Sequence, residues 1–274
     1  MRVALRRAAH QIVDRPIVFE DSFAIRILGE AANEMRAPQR PYSHALRAFL
    51  VARSRYAEET LARAVAQGAT QYILLGAGLD TFSLRNPYPG VHVFEVDHPA
   101  TQQWKLGLLA DQQIALPSRT TYVPVDFEHQ QLRQQLDAAG YDPTQLTVFA
   151  WLGVVPYLTE EGFASTLSFI SNAATGSAVI FDYGLPRASL PFFEQLAHDS
   201  LAARVAAAGE PFQLFFTPEE ISERLIARGF CHIEDLDSHQ INRRYFANRT
   251  DDLRVLGSAG HLLSAWVGKP LLSS

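Results

Sequence analysis

The feature that most constrains this chain is a glycine-containing turn directly behind a short apolar run. The run is Tyr72-Ile73-Leu74-Leu75 and the turn is Gly76-Ala77-Gly78-Leu79-Asp80. An apolar run followed by glycines indicates a buried parallel strand, and the glycines let the backbone turn sharply and approach a ligand. A second run, from Val91 to Val96, contains Glu95 near its end and is followed by Asp97, where a carboxylate can accept hydrogen bonds from ribose hydroxyls. The spacing fits one βαβ unit and indicates a nucleoside-binding site.

The turn also discriminates among nucleosides. The dinucleotide fingerprint requires a third Gly or Ala three positions after the second glycine, so that the amino end of a helix approaches a pyrophosphate. This chain has Thr81 there, and the carboxylate of Asp80 would repel a pyrophosphate but can receive an ammonium group. S-adenosylmethionine carries an ammonium group and no phosphate, so the turn favours this cofactor. A turn without a ligand and a nicotinamide-dependent dehydrogenase are the alternatives.

Composition narrows the class of protein. A chain of 274 residues with 47% hydrophobic content can bury the core of one large α/β domain. The net charge of -5 and the absence of a basic run argue against a nucleic-acid partner. No apolar stretch approaches the length of a membrane span, and the amino terminus has no signal-peptide pattern. We therefore expect a cytoplasmic protein with no membrane partner, and the single cysteine, Cys231, fits a reducing compartment.

From Gln71 onward, short strands alternate with amphipathic helices, which predicts a parallel sheet. The predicted strands are Tyr72–Leu75, Val91–Val96, Thr121–Val125, Thr147–Trp151, Ala178–Asp182, Cys231–Leu236 and Leu262–Val267. Crossover helices are predicted at Thr101–Asp111, Gln130–Ala139 and Glu160–Ala173, the last capped by Thr159, and Thr217 caps a later helix. Seven strands of which the last is antiparallel make the Rossmann-like sheet of class I methyltransferases.

We predict one methyltransferase domain over residues 1–274. Residues 1–68 form an amino-terminal helical cap or lid that contains a long helix from Ser43. Residues 69–185 form the cofactor-binding core, and residues 186–216 form a helical insertion that acts as a lid after the fifth strand. Residues 217–274 complete the sheet.

Several motifs agree with those of one known family. They are Arg53–Tyr56, Gln71–Thr81, Phe94–Pro99, Trp104-Lys105, Val123–Phe127 and Trp151–Leu158. On these residues, nearly the whole chain resembles the leucine carboxyl methyltransferase family, in particular its bacterial branch of S-adenosylmethionine-dependent O-methyltransferases from polyketide-type secondary metabolism. The resemblance implies methyl transfer to a carboxylate or hydroxyl of a small, apolar metabolite.

The resemblance also assigns cofactor-binding residues. They are Arg53, Gly76, Gly78, Asp80, Asp97, Asp126, Phe127 and Trp151. Gly76 and Gly78 would line the methionine part of the cofactor, and Asp97 would hold the ribose hydroxyls. Arg53 matches an arginine that clamps the cofactor carboxylate, a task that suits a planar bidentate donor.

The adenine side and one departure from the family complete the cofactor prediction. Asp126 and Phe127 would bracket the adenine, and Arg7 matches a basic residue of the family's first helix. Many family members have Glu near the methionine ammonium where this chain has Leu152. Either Asp80 and backbone carbonyls replace that Glu, or the cofactor sits differently. A protein that retains the nucleoside but has changed or lost methyl transfer is therefore an alternative.

The sequence leaves the acceptor open. A hydroxyl acceptor requires a base within hydrogen-bond reach, whereas a carboxylate is already ionised. The candidates for a catalytic group are His10, Tyr157 and Tyr183. For His10 a helix-surface position without a chemical role is preferred, and the two tyrosines fit a pocket wall or the core equally well. Asp182, beside Tyr183, is a candidate cap for the next segment.

Two other groups bear on the acceptor. Phe212, Phe215 and Phe216 are candidates for an apolar pocket, although core packing is the preferred interpretation. Arg243-Arg244-Tyr245-Phe246 with Arg249 is the densest basic patch, for which a solvated loop is preferred. The histidines lack metal-ligand spacing, so no metal is predicted. The oligomeric state stays open, a homodimer included.

Overall fold

The computed structural model describes residues 1–36, 43–126, 130–207, 209 and 211–268. Within these residues, seven strands form one sheet in the order β3-β2-β1-β4-β5-β7-β6. They are β1 Gln71–Leu75, β2 His92–Asp97, β3 Thr120–Pro124, β4 Thr147–Trp151, β5 Ala178–Gly184, β6 Phe230–Leu236 and β7 Gly260–Val267. Strands β1 to β5 pair in parallel, and β7 pairs antiparallel with both β5 and β6. The predicted class I methyltransferase sheet is therefore confirmed.

Nine α-helices lie within the described ranges. They are α1 Arg2–Val13, α2 Ser43–Ala66, α3 Phe82–Arg85, α4 Pro99–Asp111, α5 Leu132–Ala138, α6 Glu160–Ser171, α7 Phe192–Ala206, α8 Pro218–Ala227 and α9 Ser238–Tyr245. Helices α6 and α8 begin at the predicted caps, since the hydroxyls of Thr159 and Thr217 accept hydrogen bonds from Gly162 N and Glu220 N. Each helix of the described ranges is either too short or too polar to span a membrane.

The alternation of side chains along the strands sorts the core into two layers. On β1, Tyr72 and Leu74 pack in the layer that contains α2, whereas Ile73 and Leu75 pack in the layer that contains α5, α6 and α8. Strands β1 and β4 are buried at every position, as expected for central strands covered by helices on both faces. The parallel strands consequently all end at one edge of the sheet, where ligands bind in open α/β folds.

A buried ion pair connects α4 to this edge. The Lys105 ammonium, 2% exposed, lies 2.5 Å from Glu95 Oε2 on β2 and donates a 2.6 Å hydrogen bond to the carbonyl of Asp80. Ser83 Oγ donates to the other carboxylate oxygen of Glu95 at 2.5 Å. Because each charge of the pair has further polar contacts, the pair fixes α4, β2 and the turn after β1 relative to one another.

Removing one member of this pair should destabilise the protein strongly. In Lys105→Met the Glu95 carboxylate stays buried with Ser83 alone, and we expect a loss of about 3 to 5 kcal/mol in the free energy of unfolding. The double variant Lys105→Met/Glu95→Leu should recover most of that loss, because a buried pair is often replaceable by apolar side chains. Urea unfolding followed by circular dichroism measures both.

The control is a surface pair of the same charge type. Arg133 lies 3.5 Å from Asp137 on α5 with about half of each side chain exposed, so Arg133→Met should cost less than about 1 kcal/mol. A Lys105→Met loss as small as that of the control would contradict a stabilising role for the buried pair.

Candidate active site

A cavity of about 260 Å³ lies at the carboxyl ends of β1 and β4. Its wall contains residues of α1, α2, α4, the turn after β1 and the segment after β4, namely Met1, Val3, Ala4, Arg7, Arg53, Ser54, Leu74–Asp80, Thr101, Trp104, Ala150, Leu152 and Gly153. The amino-terminal helices thus close a site that the sheet alone would leave open. Of the predicted cofactor residues, Arg53, Gly76, Gly78 and Asp80 line this cavity.

The turn of residues 76–80, called the glycine turn below, is tied to the neighbouring strand. Gly76 N and Ala77 N both donate to Val96 O, at 2.9 and 3.0 Å. Gly76 and Gly78 have φ of 72° and 49°, a region that favours glycine. A Cβ at Gly76 would lie 2.5 Å from Val154 Cγ2, whereas one at Gly78 would meet no described atom within 4 Å. Packing therefore requires the first glycine, and the second faces open space.

Asp97 is fixed beside the glycine turn at the end of β2. Its Oδ2 accepts a 2.5 Å hydrogen bond from Gly78 N, and its Oδ1 accepts a 2.7 Å bond from His98 N. Both bonds come from backbone amides, so the carboxylate has a defined orientation next to the cavity wall.

Arg53 is held by the carboxylate of Asp182, whose position in the sequence indicates only a candidate cap. Asp182 Oδ2 lies 2.9 Å from Arg53 Nη1, and Asp182 Oδ1 accepts a 2.5 Å hydrogen bond from Gly153 N. A Cβ at Gly153 would lie 2.7 Å from the same guanidinium nitrogen, so glycine permits this close approach. Asp182 thus positions the guanidinium in the cavity wall, and no cap bond from its side chain is needed.

Asp80 forms the acidic part of the wall. Its side chain is 20% exposed and its Oδ2 lies 3.3 Å from Arg7 Nη1. Burial opposes ionisation of this carboxyl, but the charges of Arg7, Arg85 and Lys105 outweigh it and lower its pKa below the ordinary value. The site therefore presents a carboxylate, a group that attracts an ammonium and repels a pyrophosphate.

Thr81, the residue that departs from the dinucleotide fingerprint, has a structural explanation. Its hydroxyl is buried and lies 2.7 Å from the carboxylate of Asp21, which also pairs with Arg7 at 2.9 Å. Arg7 in turn donates to the carbonyl of Leu79 at 3.3 Å. This network attaches α1 to the glycine turn.

Two further predicted cofactor residues, Trp151 and Asp126, do not line the 260 Å³ cavity. Trp151 is buried, stacks on Phe163 at 5.4 Å between ring centres, and lines a second cavity of about 530 Å³. Gly76 lines both cavities. Asp126 follows β3, and its backbone N donates to Gln130 Oε1 at 2.9 Å. Phe127 lies outside the described residues.

The preferred surface position for His10 is wrong. Its ring is fully buried, Nδ1 lies 2.8 Å from Asp14 Oδ2, and Nε2 accepts from the backbone amides of Val18 and Phe19 at 3.0 and 3.3 Å. Since Nε2 is an acceptor, Nδ1 carries the proton and donates to Asp14. Both nitrogens are engaged, so in this conformation the ring has no nitrogen left for an acceptor substrate.

The tyrosine candidates also lie away from the cavity wall. Tyr183 is buried and its hydroxyl donates a 2.5 Å hydrogen bond to Asp235 Oδ2. Burial and the Asp235 charge raise the pKa of Tyr183 far above its ordinary value, so the hydroxyl stays protonated. Tyr157 follows the cavity segment and its ring packs on Phe212, with 5.3 Å between ring centres.

The basic patch is largely paired, and the expectation of a solvated loop is wrong. Its arginines 243 and 244 lie in the last turn of α9, which begins with a capping box between Asp237 and Gln240. Arg244 pairs with Glu234 and Glu59 at 3.1 and 3.2 Å. The other arginine of the patch, at position 249, pairs with the acid at position 251.

Several wall residues had no assigned role at the level of sequence. Ser54, Thr101 and Trp104 line the cavity beside the predicted set, and the Trp104 side chain is 39% exposed at its margin. The available signals were the Arg53–Tyr56 motif, which contains Ser54, and the Trp104-Lys105 motif, whose second member is the buried cation described above. Phe216, by contrast, is a core residue, packed on Phe163 at 4.9 Å.

Comparisons with known proteins agree with this architecture. Solved structures with the same fold include a DUF574 family protein from Streptomyces avermitilis, with a TM-score of 0.58, 16% identity and 97% of both chains covered. Another is magnesium protoporphyrin IX methyltransferase from Synechocystis with bound SAH, with a TM-score of 0.50, 14% identity, and 89% of this chain and 91% of that chain covered.

Sequence relatives are closer. The Bacillus subtilis protein named "Putative S-adenosyl-L-methionine-dependent methyltransferase YktD" is 33% identical over 278 residues, which cover 91% of each protein. A Mycolicibacterium smegmatis protein with a similar name is 31% identical over 81% of this chain and 66% of its own length. The family model described as leucine carboxyl methyltransferase matches residues 1–171. The chain therefore belongs to the leucine carboxyl methyltransferase family.

Proposed function

We propose that this chain is a cytoplasmic enzyme that uses S-adenosylmethionine to methylate a carboxylate or hydroxyl oxygen of a small, mostly apolar secondary metabolite. The observation that carries the proposal is the 260 Å³ cavity, in which a guanidinium, a carboxylate and a glycine turn meet at the carboxyl ends of parallel strands. Family membership supports methyl transfer. The apolar wall residues Leu152 and Trp104 support an apolar acceptor.

The residues of the cavity fit this cofactor. Arg53 would hold its carboxylate, because Asp182 engages Nη1 and thereby orients the guanidinium. The ionised Asp80 would attract its ammonium group. Asp97 would hold the ribose hydroxyls, and the missing side chain of Gly78 leaves room for close approach to the backbone.

The chemistry demands more positioning than covalent help. When bound, S-adenosylmethionine supplies an electrophilic methyl group attached to a sulfonium. The protein must hold the acceptor oxygen in line and exclude water, which contributes roughly 7 to 11 kcal/mol to lowering the barrier. Met1 and the α1 residues Val3 and Ala4 form an apolar part of the wall that would serve this exclusion.

A second function has one observation in its favour. Leu152 lines the cavity as an apolar residue where many family members have Glu, which is compatible with a protein that binds the nucleoside without transferring methyl. However, Asp182 keeps a carboxylate at the adjacent Gly153, so the edge retains an acid. Cofactor that co-purifies without any methylated product from a broad panel of acids and phenols would favour the binding protein.

Calorimetry with S-adenosylhomocysteine and S-adenosylmethionine tests the proposed site. We expect Asp97→Ala to abolish binding and Arg53→Lys to weaken it about tenfold or more, because lysine cannot reproduce the planar bidentate contact. Arg244→Lys, remote from the cavity, is the matched control and should bind like the parent protein. Unchanged affinity of Asp97→Ala would place the ribose acid elsewhere, and a parent protein that fails to bind at millimolar cofactor would overturn the proposed function.

The two turn glycines should respond differently to the same added methyl group. In Gly78→Ala the new Cβ points into open space, and the change costs only about 1 to 2 kcal/mol of backbone strain. We therefore expect a folded protein, with S-adenosylhomocysteine binding weakened because the added methyl group occupies room that the ligand would use. Gly76→Ala forces Val154 to move and should lower the free energy of unfolding considerably more. Urea unfolding and calorimetry on both variants measure this. Equal stability losses, or full affinity in Gly78→Ala, would contradict the assignment.

A further inference from the structure

Four aromatic rings form a group at the carboxyl edge of the sheet, called the aromatic cluster below. They are Tyr157, His198, Phe212 and Phe215. The His198 ring centre lies 5.3 Å from that of Phe215 and 6.5 Å from that of Phe212. Three chain segments therefore contribute to it: the segment after β4, helix α7, and the segment before α8.

Backbone hydrogen bonds attach the aromatic cluster to the chain segments that follow β4 and β5. Gln213 N donates to Pro156 O at 2.7 Å, and Phe216 N donates to Gly184 O at 3.1 Å. Gly184 ends β5 two residues after Asp182, whose carboxylate binds Arg53 and Gly153 of the cavity wall. The cluster thus follows directly from the ends of β4 and β5.

The Phe215 ring approaches this edge closely. A Cβ at Gly184 would lie 3.2 Å from Phe215 Cδ1, so the ring packs against the bare backbone of the strand end. Together with Phe212 and Tyr157, it gives this region flat, apolar surfaces. Such surfaces suit a planar acceptor better than a flexible polar one.

His198 has no hydrogen-bond partner within the part of the chain that the structure describes. Its side chain is 14% exposed, and both Nδ1 and Nε2 are shielded from solvent. An unsatisfied buried polar group costs free energy of the order of 1 to 3 kcal/mol and calls for an explanation. The fully buried ring of His10, by contrast, has both nitrogens bonded. The contrast indicates that the His198 nitrogens are reserved for a ligand.

The helix that carries His198 is attached by few contacts. Helix α7 has no buried residue among those described, and Glu194 anchors it through Ser258, whose N and Oγ both donate to Glu194 Oε2 at 2.7 and 2.8 Å. Arg187 binds Asp199 through two hydrogen bonds of 2.7 and 2.8 Å. A helix that buries none of its described residues and is attached by a few polar contacts can move at low cost, which gives an acceptor a route to the ring.

We propose that His198 receives the proton of an aromatic hydroxyl whose ring lies in the aromatic cluster. This rests on the proposed function and narrows its acceptor to a phenol-type compound. As the acceptor oxygen bonds to the methyl carbon, the carbon–sulfur bond breaks and its electron pair stays on sulfur. The hydroxyl O–H bond also breaks, and its proton converts the neutral imidazole to imidazolium.

The neighbouring charges favour a hydroxyl over a carboxylate. Asp199 Oδ1 lies 3.6 Å from His198 Nδ1, beyond hydrogen-bond distance but close enough to stabilise an imidazolium. The same charge repels a carboxylate acceptor. Arg187 is engaged by Asp199, and Glu194, one turn earlier on α7, adds a second negative group.

A matched pair of ligands tests the inference on protein saturated with S-adenosylhomocysteine. 2-Naphthol and 2-naphthoate share one flat ring system and differ in carrying a hydroxyl or a carboxylate. Calorimetry should show at least tenfold tighter binding of 2-naphthol to the parent protein. In His198→Phe, which keeps the ring and removes both nitrogens, this preference should disappear while affinity for S-adenosylhomocysteine is unchanged. His239→Phe, on the exposed face of α9, should behave like the parent.

A direct contact with the ring has its own readout. The NMR signals of the His198 ring, assigned by their absence from His198→Phe, should shift when 2-naphthol is added and stay in place with 2-naphthoate. Equal or tighter binding of 2-naphthoate, a preference that survives in His198→Phe, or no binding of either compound would overturn the inference. Methylation of 2-naphthoate alone would overturn it while leaving the proposed function intact. Failure to bind S-adenosylhomocysteine at all would instead overturn the proposed function.

Discussion

The candidate site depends on the contacts that the buried ammonium of Lys105 makes. It pairs with the carboxylate of Glu95 on β2 and also donates a hydrogen bond to the carbonyl of Asp80 at the end of the glycine turn. Burying an isolated charge would cost several kcal/mol, so the pair persists only because both partners are fixed by the fold. These contacts attach the glycine turn, which lines the cavity, to helix α4 and strand β2. A flexible glycine turn thereby becomes a rigid part of the wall.

From this anchored turn, paired charges extend to the amino-terminal helices. Asp80 is ionised beside Arg7, and Arg7 also binds Asp21, which receives the Thr81 hydroxyl. On the opposite wall Asp182 connects Arg53 to Gly153. Each charged group that faces the cavity is therefore oriented by a partner behind it. Such preorganisation reduces the ordering that ligand binding would otherwise require.

Much of the fold was predictable because its signals are local. Apolar runs and glycine positions place the seven strands to within two residues, and Thr159 and Thr217 mark helix starts through bonds to amides three residues away. Helix α9 escaped prediction because eight mostly polar residues carry little apolar periodicity. Its signal was the capping box of Asp237 and Gln240.

The site was less predictable because its decisive contacts are distant in sequence. Arg53 and Asp182 are separated by 129 positions, so nothing local distinguishes Asp182 from a helix cap. His10 looked like a surface residue because its partners include the amides of Val18 and Phe19, which reach it only after the chain reverses. Hydrogen-bond satisfaction in three dimensions, rather than residue type, separates this histidine from His198.

The positions of Leu152 and Asp182 also bear on which acceptor the protein can bind. With Leu152 in the wall, the segment after β4 contributes an apolar side chain, and the carboxylate at this edge comes from Asp182 on β5 instead. Both oxygens of Asp182 are engaged by Arg53 and Gly153, so that acid serves to hold the wall rather than to meet a substrate. The aromatic cluster, with the unsatisfied imidazole of His198, belongs to the segments that follow β4 and β5. An acceptor that binds there gains most from a flat apolar body with a single proton to donate, because only that combination covers the rings and satisfies the nitrogen.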